Sequence, residues 1–280
     1  MKCAIESDAQ PVRAHARVLA NRQEGNCRRL SLGVPSWPGS NPGQFVMIGA
    51  GVESAVVRRD PLLPRPMAVY RDPGPLPGAG GGEIELLYRV VGRGTALMAE
   101  ALPGQSIPLV GPLGRGFPIE AHAGPALLVG GGSGIASLYE LARALRNAGR
   151  DVVVLLGART RADLIGRGDF EELDVELVCT TEDGSDGILG RVTEPLAERL
   201  ADRGAETTLF AVGPTAMMRA CADLAEARSV SCLVSLENPM ACGFGVCLGC
   251  AVPRSGGGFS LVCRSGPVFD AREIDWEGLP

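Results

Sequence analysis

The sequence predicts an α+β protein of several domains: an N-terminal antiparallel β-barrel, a doubly wound α/β domain and a small C-terminal module. Three observations predict this class. Short β-prone runs between Pro and Gly clusters fill residues 1–118, and strands alternate with helices over residues 119–230. Residues 231–280 are irregular and rich in Gly and Cys. We expect three domains with these bounds.

Composition limits the function classes. The chain has 280 residues, of which 45% are apolar, so it can build more than one hydrophobic core. The net charge of -5 and the lack of clustered basic residues argue against a nucleic-acid-binding surface. No apolar run is long enough to span a membrane. We therefore expect a soluble enzyme or enzyme subunit.

The cysteine content indicates the cellular compartment. The chain has 9 cysteines, and the residues after Met1 lack the apolar stretch of a signal peptide. In a reducing cytoplasm, clustered cysteines indicate metal or redox chemistry rather than disulfides. A cytoplasmic location is expected.

The first domain is expected to contain short strands and one helix. The helix covers residues 95–101 and follows a Gly-Arg-Gly turn. A Gly/Pro-rich insert at 74–82 is expected to be a flexible hairpin tip without a function. The predicted strands cover residues 12–19, 29–34, 44–48, 55–57, 67–70, 84–91 and 106–110.

Three stretches of this barrel form a candidate anion-binding site. An arginine that points outward from a strand, beside the Gly-Thr start of a helix, can hold a pyrophosphate. The alternative is a solvent-facing arginine next to an ordinary capped helix, and the residues alone leave both open. The candidate cofactor-binding residues are Arg65, Pro66, Met67, Ala68, Leu87, Tyr88, Arg89, Gly94 and Thr95.

The second domain begins with a strand–helix–strand unit at residues 126–129, 135–147 and 151–156. Strands that alternate with helices in this way form a parallel doubly wound sheet, the usual framework of a nucleotide-binding domain. Further strands are expected at 175–178 and 208–212, and helices at 193–203 and 215–227.

A Gly-rich turn follows the first strand of this domain. Its glycines Gly130, Gly132 and Gly134 are candidate cofactor-binding residues, because the turn presents free N–H groups of a helix start to a phosphate. The alternative is that the turn serves packing alone. No acidic residue ends the second strand, which continues into Arg159 and Arg161. A ribose-binding carboxylate is therefore missing, and NAD and NADP both stay open.

The C-terminal module carries the most specific motif. Cys242, Cys247, Cys250 and Cys263 follow the spacing C-x4-C-x2-C with a fourth cysteine downstream, which is the plant-type [2Fe–2S] arrangement. Glycines between them permit the backbone angles that a loop around a cluster needs. A structural zinc site is the alternative, but zinc cysteines usually occur as paired knuckles. The other cysteines show no ligand spacing.

Taken in order, these elements resemble the ferredoxin-reductase-like flavoproteins. More closely, they resemble the electron-transfer subunits of the two-subunit, NAD-dependent dihydroorotate dehydrogenases. The most specific shared parts are Ser235-Leu236-Glu237, the Met240-Ala241-Cys242-Gly243 stretch that leads into the cysteine loop, and the run from Val262 to Phe269. The resemblance covers nearly the whole chain.

The resemblance implies FAD between the first two domains, a [2Fe–2S] cluster on the four cysteines and NAD as exchangeable substrate. It places flavin contacts at Arg65 through Ala68, at residues 87–89 and at Gly94-Thr95. Three positions depart from the family pattern. Ala68 replaces a common Ser near the flavin, while Ser137 replaces a Pro and Val212 replaces a Cys near the expected nicotinamide site.

The family also implies a partner. The chain offers no residue suited to deprotonating a carbon acid, so dihydroorotate oxidation is expected on an FMN-containing catalytic subunit, in a heterotetramer. Electrons would then pass through the cluster and FAD to NAD. Two alternatives stay open: a diaphorase-type subunit of a hydrogenase, a ferredoxin:NADP oxidoreductase or a sulfite reductase, and a flavin-less interaction protein with a structural metal.

Overall fold

The computed structural model describes residues 10–52, 60–76 and 80–279. Within these residues the chain forms two seven-stranded sheets and a small hairpin, as the fold class predicted. The strand expected at residues 55–57 lies outside the described residues, as do residues 77–79 of the Gly/Pro-rich insert. Among the described helices, none has the length and apolar character needed to cross a membrane.

The first sheet is antiparallel and curls into a barrel. Its strand order is β4-β3-β7-β1-β2-β6-β5. The Tyr70 N–H donates to the Glu85 carbonyl at 2.8 Å and the Glu85 N–H to Arg71 at 2.9 Å, which brings the chain after β4 back to β6. The strands are β1 (Val12–Glu24), β2 (Cys27–Pro35), β3 (Phe45–Ile48), β4 (Arg65–Ala68), β5 (Pro75–Leu76), β6 (Gly81–Arg89) and β7 (Ser106–Leu113).

The barrel core follows the period of two that the sequence shows. Ala14, Ala16 and Val18 of β1 are buried, whereas the residues between them are exposed. Helix α1 (Arg93–Ala99) closes one end, with Met98 fully buried. The Gly/Pro-rich insert does form a hairpin, since β5 pairs with the start of β6.

The second sheet is doubly wound, in the order β11-β10-β9-β8-β12-β13-β16, and is parallel except for its last strand, β16 (Val268–Asp270). The chain moves outward from β8 to β11 and then returns to β12 on the other side of β8, which makes a topological switch point between β8 and β12. The strands are β8 (Ala126–Gly131), β9 (Val152–Ala158), β10 (Glu176–Thr181), β11 (Ile188–Leu189), β12 (Thr208–Val212) and β13 (Ser231–Ser235).

Helices cover both faces of this sheet. They are α2 (Tyr139–Asn147), α3 (Arg167–Glu171), α4 (Thr193–Ala201) and α5 (Thr215–Glu226). The helix expected from residue 135 begins instead at Tyr139, because Gly132–Ser137 winds as a tighter 3-10 helix. The tight turn packs Gly134 against the end of β12: a Cβ on Gly134 would lie 2.6 Å from the Val212 carbonyl oxygen.

The C-terminal residues are shared between this sheet and a small module. The module contains the β14 (Ala251–Pro253) and β15 (Phe259–Leu261) hairpin and helix α6 (Val262–Ser265). Strand β16 (Val268–Asp270) then returns to the large sheet and pairs antiparallel with β13. The domain bounds remain a prediction; β13 and β16, both beyond residue 230, complete the α/β sheet.

Candidate functional site

A slot lies between β4 and β6 of the barrel. The described backbone hydrogen bonds between these two segments occur at Tyr70, Arg71 and Glu85, and the ladder does not continue along β4. The antiparallel register that begins at the Arg71–Glu85 bridge places Met67 across from Arg89. All four residues of β4 are half-buried. The predicted flavin-contacting stretches at 65–68 and 87–89 therefore lie on the two sides of the unladdered gap between β4 and β6, which is the slot named above.

The pleat of the strands divides these residues between two faces. Ala68 and Leu87 pack into an apolar cluster that the barrel shares with the α/β domain. Met67 and Tyr88 pack into the barrel core instead. Burial raises the pKa of Tyr88 to about 12, against the smaller opposing effects of Arg28 and Asn21. The Tyr88 side chain thus lies away from the outward face, where Leu87 and Arg89 remain.

The Arg65 side chain extends from β4 and packs on the first turn of α1, at Gly94. A Cβ on Gly94 would be 2.5 Å from the Arg65 Nε, so only glycine lets the guanidinium approach the helix start. Thr95 Oγ1 accepts hydrogen bonds from the Val91 and Gly92 N–H groups at 3.0 and 3.2 Å. Thr95 is therefore a capping residue, and the structure brings together the arginine and the helix start that the sequence suggested.

The Gly-rich turn after β8 has two separate roles. A Cβ on Gly130 would be 3.0 Å from Ile135 and Leu138 side-chain atoms, and Gly134 touches the end of β12, so both positions serve packing. Gly132 has φ of +56° and open space where a Cβ would be. Gly132 is the position at which a nucleotide phosphate can approach the backbone closely.

The arginines after β9 are exposed and only loosely paired. Arg159 Nε lies 3.7 Å from Asp163, and Arg161 Nε lies 3.6 Å from Asp186. An ion pair of this length holds an exposed arginine side chain weakly. Asp163 itself is a residue that sequence reasoning missed: it is buried and also bonds Arg89 at 2.8 Å. No local pattern marks it, because Arg89 is distant in sequence.

The four predicted cluster ligands come together in two pairs. The Cys250 and Cys263 sulfurs are 3.2 Å apart, and the Cys242 thiol bonds Cys247. The Gly245 N–H points at the Cys263 sulfur at 3.1 Å. Backbone N–H groups aimed at sulfur stabilise thiolates and tune a bound cluster.

The pKa values of these thiols differ with their surroundings. Burial acts to raise the pKa of Cys242, but N–H groups of the loop, first that of Cys247, outweigh it and lower the pKa to about 6. Burial, together with the neighbouring Cys250, raises the pKa of Cys263 to about 12. A cation bound between the sulfurs would favour both thiolates.

Two thiol pairs fit a two-iron cluster better than a single zinc ion. Over the part of the chain that the structure describes, no three His, Cys, Asp or Glu side chains are grouped closely enough for one metal ion. A [2Fe–2S] cluster needs no such group, since its four thiolates are divided between two irons. The residues present therefore fit the cluster.

The cysteine loop packs directly on the barrel. A Cβ on Gly243 would be 2.5 Å from Met47 Cγ of β3, and Gly243 has φ of +81°. Met47 pairs with Pro66 of β4, so one strand pair separates the loop from the slot. The outer side of the loop exposes Phe244, Val246 and Leu248, with Val246 81% exposed.

Comparisons with known proteins agree with this geometry. Residues 237–275 match the family model "Iron-sulfur cluster binding domain of dihydroorotate dehydrogenase B", and residues 128–223 match "Oxidoreductase NAD-binding domain". The electron transfer subunit of dihydroorotate dehydrogenase B (NAD(+)) from Bacillus caldolyticus is 40% identical, covering 83% of this chain and 86% of that protein.

Two further relatives extend over more of the chain. A probable subunit of the same kind from Methanopyrus kandleri is 36% identical, covering 93% of this chain and 91% of that protein. A solved chain from an NADH-dependent reduced ferredoxin-NADP oxidoreductase superposes with a TM-score of 0.79 at 33% identity, covering 94% of this chain and 91% of that one.

Barrel, doubly wound domain and cysteine loop together define a ferredoxin-reductase-like oxidoreductase with an iron–sulfur module. Within that class, the identity and coverage shown by the curated relatives are decisive. The chain belongs to the family of dihydroorotate dehydrogenase B electron transfer subunits.

Proposed function

We propose that this chain carries electrons from a partner subunit to NAD. The partner holds FMN and oxidises dihydroorotate to orotate, a step of pyrimidine biosynthesis. Electrons enter this chain at a [2Fe–2S] cluster on Cys242, Cys247, Cys250 and Cys263, pass to FAD at the slot between β4 and β6, and leave on NAD at the Gly-rich turn.

One observation carries this proposal: the cluster loop and the flavin slot share a strand pair. Gly243 touches Met47 of β3, and Met47 pairs with Pro66 of β4, which lines the slot. Paired antiparallel residues have Cα atoms about 5 Å apart. A cluster held by the loop and a flavin held in the slot are therefore close neighbours.

The flavin would supply the conversion between single electrons and hydride, which neither a [2Fe–2S] cluster nor a nicotinamide provides alone. The chain's own residues bind and orient it. Arg65 lies on the helix start beside Gly94, where a pyrophosphate binds by charge and hydrogen bonding. Ala68, Leu87 and Arg89 lie on the outward face that meets the α/β domain. Ala68 offers no hydroxyl to this face.

The nicotinamide nucleotide is proposed to bind at the switch point between β8 and β12. Gly132 leaves its phosphate room beside the backbone. We propose NAD as the acceptor because Arg159 and Arg161 are exposed and each already faces a carboxylate. Neither is held in place for an additional phosphate.

The partner is proposed to dock on the cysteine loop. Phe244, Val246 and Leu248 are exposed apolar side chains around the cluster ligands, and a partner over them would exclude water from the cluster. From the family resemblance we also propose that the complex contains two copies of each subunit. Its proposed location is the cytoplasm.

An anaerobic reductive titration of the purified chain tests the proposal, with flavin and iron assayed on the same sample. We expect uptake of about three electrons, two by the flavin and one by the cluster. Dihydroorotate should reduce NAD only when the partner is added. A colourless, folded protein that contains zinc would instead favour the flavin-less interaction protein.

A second candidate is a subunit of a ferredoxin:NADP oxidoreductase. The solved relative of that activity is 33% identical over 94% of this chain. The proposed redox centres are the same in this case, and only the partner differs. Copurification of the native complex separates the two functions, since the partner either oxidises dihydroorotate or exchanges electrons with ferredoxin, and an assay with each substrate distinguishes them.

A further inference from the structure

A buried carboxylate of the α/β domain bonds to the barrel beside the flavin slot. Asp163 ends the 3-10 turn Arg161–Asp163 after β9, and only 5% of its side chain is exposed. It accepts a hydrogen bond from Arg89 Nη2 at 2.8 Å and one from Asn26 Nδ2 at 2.9 Å. Both donors belong to the barrel, so Asp163 spans the junction between the two domains.

The surroundings of Asp163 favour the carboxylate. The hydrogen bond from Asn26 contributes most to lowering its pKa; burial opposes this, and the charges of Arg89 and Arg159 lower it further. A buried charge is tolerated when it is paired and hydrogen-bonded. Asp163 is therefore a fixed negative charge to which one end of the Arg89 guanidinium is attached.

Arg89 keeps donors for another partner. A guanidinium has five N–H donors; besides its bond to Asp163, Arg89 hydrogen-bonds the buried Cys27 thiol, and its Nε is buried without a hydrogen-bond partner among the described residues. Arg89 lies at the end of β6, across the slot from Met67. An electron-rich ligand in the slot would satisfy the free donors, while Asp163 keeps the guanidinium from turning into solvent.

We infer that Asp163 is a positioning residue for the flavin nucleotide, which acts by holding Arg89 at the slot from the opposite domain. The inference rests on the proposed function, because Arg89 has a flavin to bind only if the chain carries one. It adds that FAD affinity depends on a residue outside the barrel that acts only through Arg89.

The junction offers a matched control. Asp169 of α3 is a second carboxylate from the α/β domain, and it bonds Arg29, Arg71 and Tyr70 of the barrel. It does not contact Arg89. An Asp169→Asn variant therefore weakens the same junction with the same chemical change but leaves Arg89 and Asp163 in place.

The test measures the FAD dissociation constant of the purified full chain under anaerobic conditions. The holoprotein is diluted in steps, and the fluorescence of released flavin gives the bound fraction. Five proteins are compared: wild type, Asp163→Asn, Arg89→Gln, the double variant, and Asp169→Asn. Circular dichroism and iron per chain verify that each variant is folded and retains its cluster.

We expect Asp163→Asn to weaken FAD binding about tenfold and Asp169→Asn to change it less than twofold. In the Arg89→Gln background the Asp163 substitution should have little further effect, because residues that act through one another are not additive. Asp163→Glu keeps the charge and should retain most of the affinity. If the Asn variant does not fold, Asp163→Ser removes the charge in its place and enters the same cycle.

Three outcomes would overturn the inference: wild-type affinity in Asp163→Asn, an equal loss in Asp163→Asn and Asp169→Asn, or additive losses in the double variant. A wild-type chain that binds no FAD at all would instead contradict the proposed function, and it is recognised before any variant is compared.

Discussion

The barrel has two interfaces within this chain, and they are built differently. Its contact with the α/β domain contains carboxylates that are buried or partly buried: Asp163 faces Arg89, Asp169 faces Arg29 and Arg71, and Glu140 accepts from the Asp72 N–H at 2.9 Å. Its contact with the cysteine loop is apolar, with Gly243 against Met47.

The difference follows from what each interface has to hold. Hydrogen-bonded ion pairs are directional, so they set the angle between two domains that share a flavin slot. The cysteine loop has to lie close to the barrel rather than at a fixed angle to it. Glycine makes this possible because it lets the loop backbone approach a side chain of the barrel closely. The first interface should therefore be sensitive to removal of a charge, and the second to addition of a methyl group.

The largest effect is expected at the loop. Gly243→Ala places a Cβ 2.5 Å from Met47 at φ of +81°. Left-handed backbone costs roughly 1–2 kcal/mol for a non-glycine residue, and overpacking adds roughly 1–3 kcal/mol. We expect most of the iron to be lost while flavin is retained, as measured by iron, sulfide and flavin per chain.

Gly258→Ala is the control for this variant. Gly258 has φ of +78° but open space around a Cβ, so it carries the backbone strain without the clash. A full cluster in Gly243→Ala, or an equal loss in both variants, would show that close packing on Met47 is not required.

The next effect is expected at the charged interface. Asp169→Asn leaves Arg29 and Arg71 without their shared carboxylate, in a site where the Asp169 side chain is 13% exposed. Breaking a largely buried pair should lower the free energy of unfolding by about 2 kcal/mol. Urea unfolding measures it, and iron content should stay unchanged.

Asp60→Asn provides the comparison, because its ion pair with Arg93 is exposed at both side chains. The free energy of unfolding of Asp60→Asn should differ from that of the wild type by no more than about 0.5 kcal/mol. Equal destabilisation by the two substitutions would mean that burial of the interface carboxylates contributes nothing.

A third prediction concerns the outer side of the loop. Val246→Asp should weaken assembly with the catalytic partner about tenfold, equivalent to about 1.4 kcal/mol, without altering cofactor content. The reason is that a charge would be buried where an apolar side chain, 81% exposed in the isolated chain, meets the partner. Titration of one subunit with the other measures the affinity.

Leu189→Asp is the control for Val246→Asp, because it makes the same kind of change at an exposed apolar residue away from the loop. Leu189 is 66% exposed on the edge strand β11 of the second sheet. Unchanged assembly is expected for it. Wild-type affinity in Val246→Asp would exclude the loop as the docking surface.

The smallest effect is a pH dependence. The folded-state pKa of Asp163 is lowered from 3.8, chiefly by the Asn26 hydrogen bond and against the effect of burial. Its contribution to stability is therefore fully present above about pH 4 and is lost as the pH falls through the folded pKa. The difference in unfolding free energy between wild type and Asp163→Asn should shrink over that acidic range. If this difference grew on acidification, the folded-state pKa of Asp163 would be raised rather than lowered, and the prediction would be wrong.

Much of this protein was predictable from local sequence patterns. The antiparallel barrel, the doubly wound domain and the cluster module are confirmed, as is membership of the electron transfer subunit family. Cys242, Cys247, Cys250 and Cys263 were predicted as ligands because cluster ligands recur at short spacings; the structure brings their thiols together in two pairs, and their assignment as the ligands remains a prediction. The individual flavin and nucleotide contacts remain predictions.

What sequence alone determined is what depends on near neighbours along the chain: the alternation of strands, the helix faces, the cysteine spacing and the Gly-rich turn. Tertiary structure decided what depends on distant residues. It placed Met67 and Tyr88 in the barrel core, gave Gly134 a packing role against β12, and joined Asp163 to Arg89. The physical reason is that burial and ion pairing are set by whichever surfaces meet in space, and no local pattern records the meeting of residues 74 positions apart.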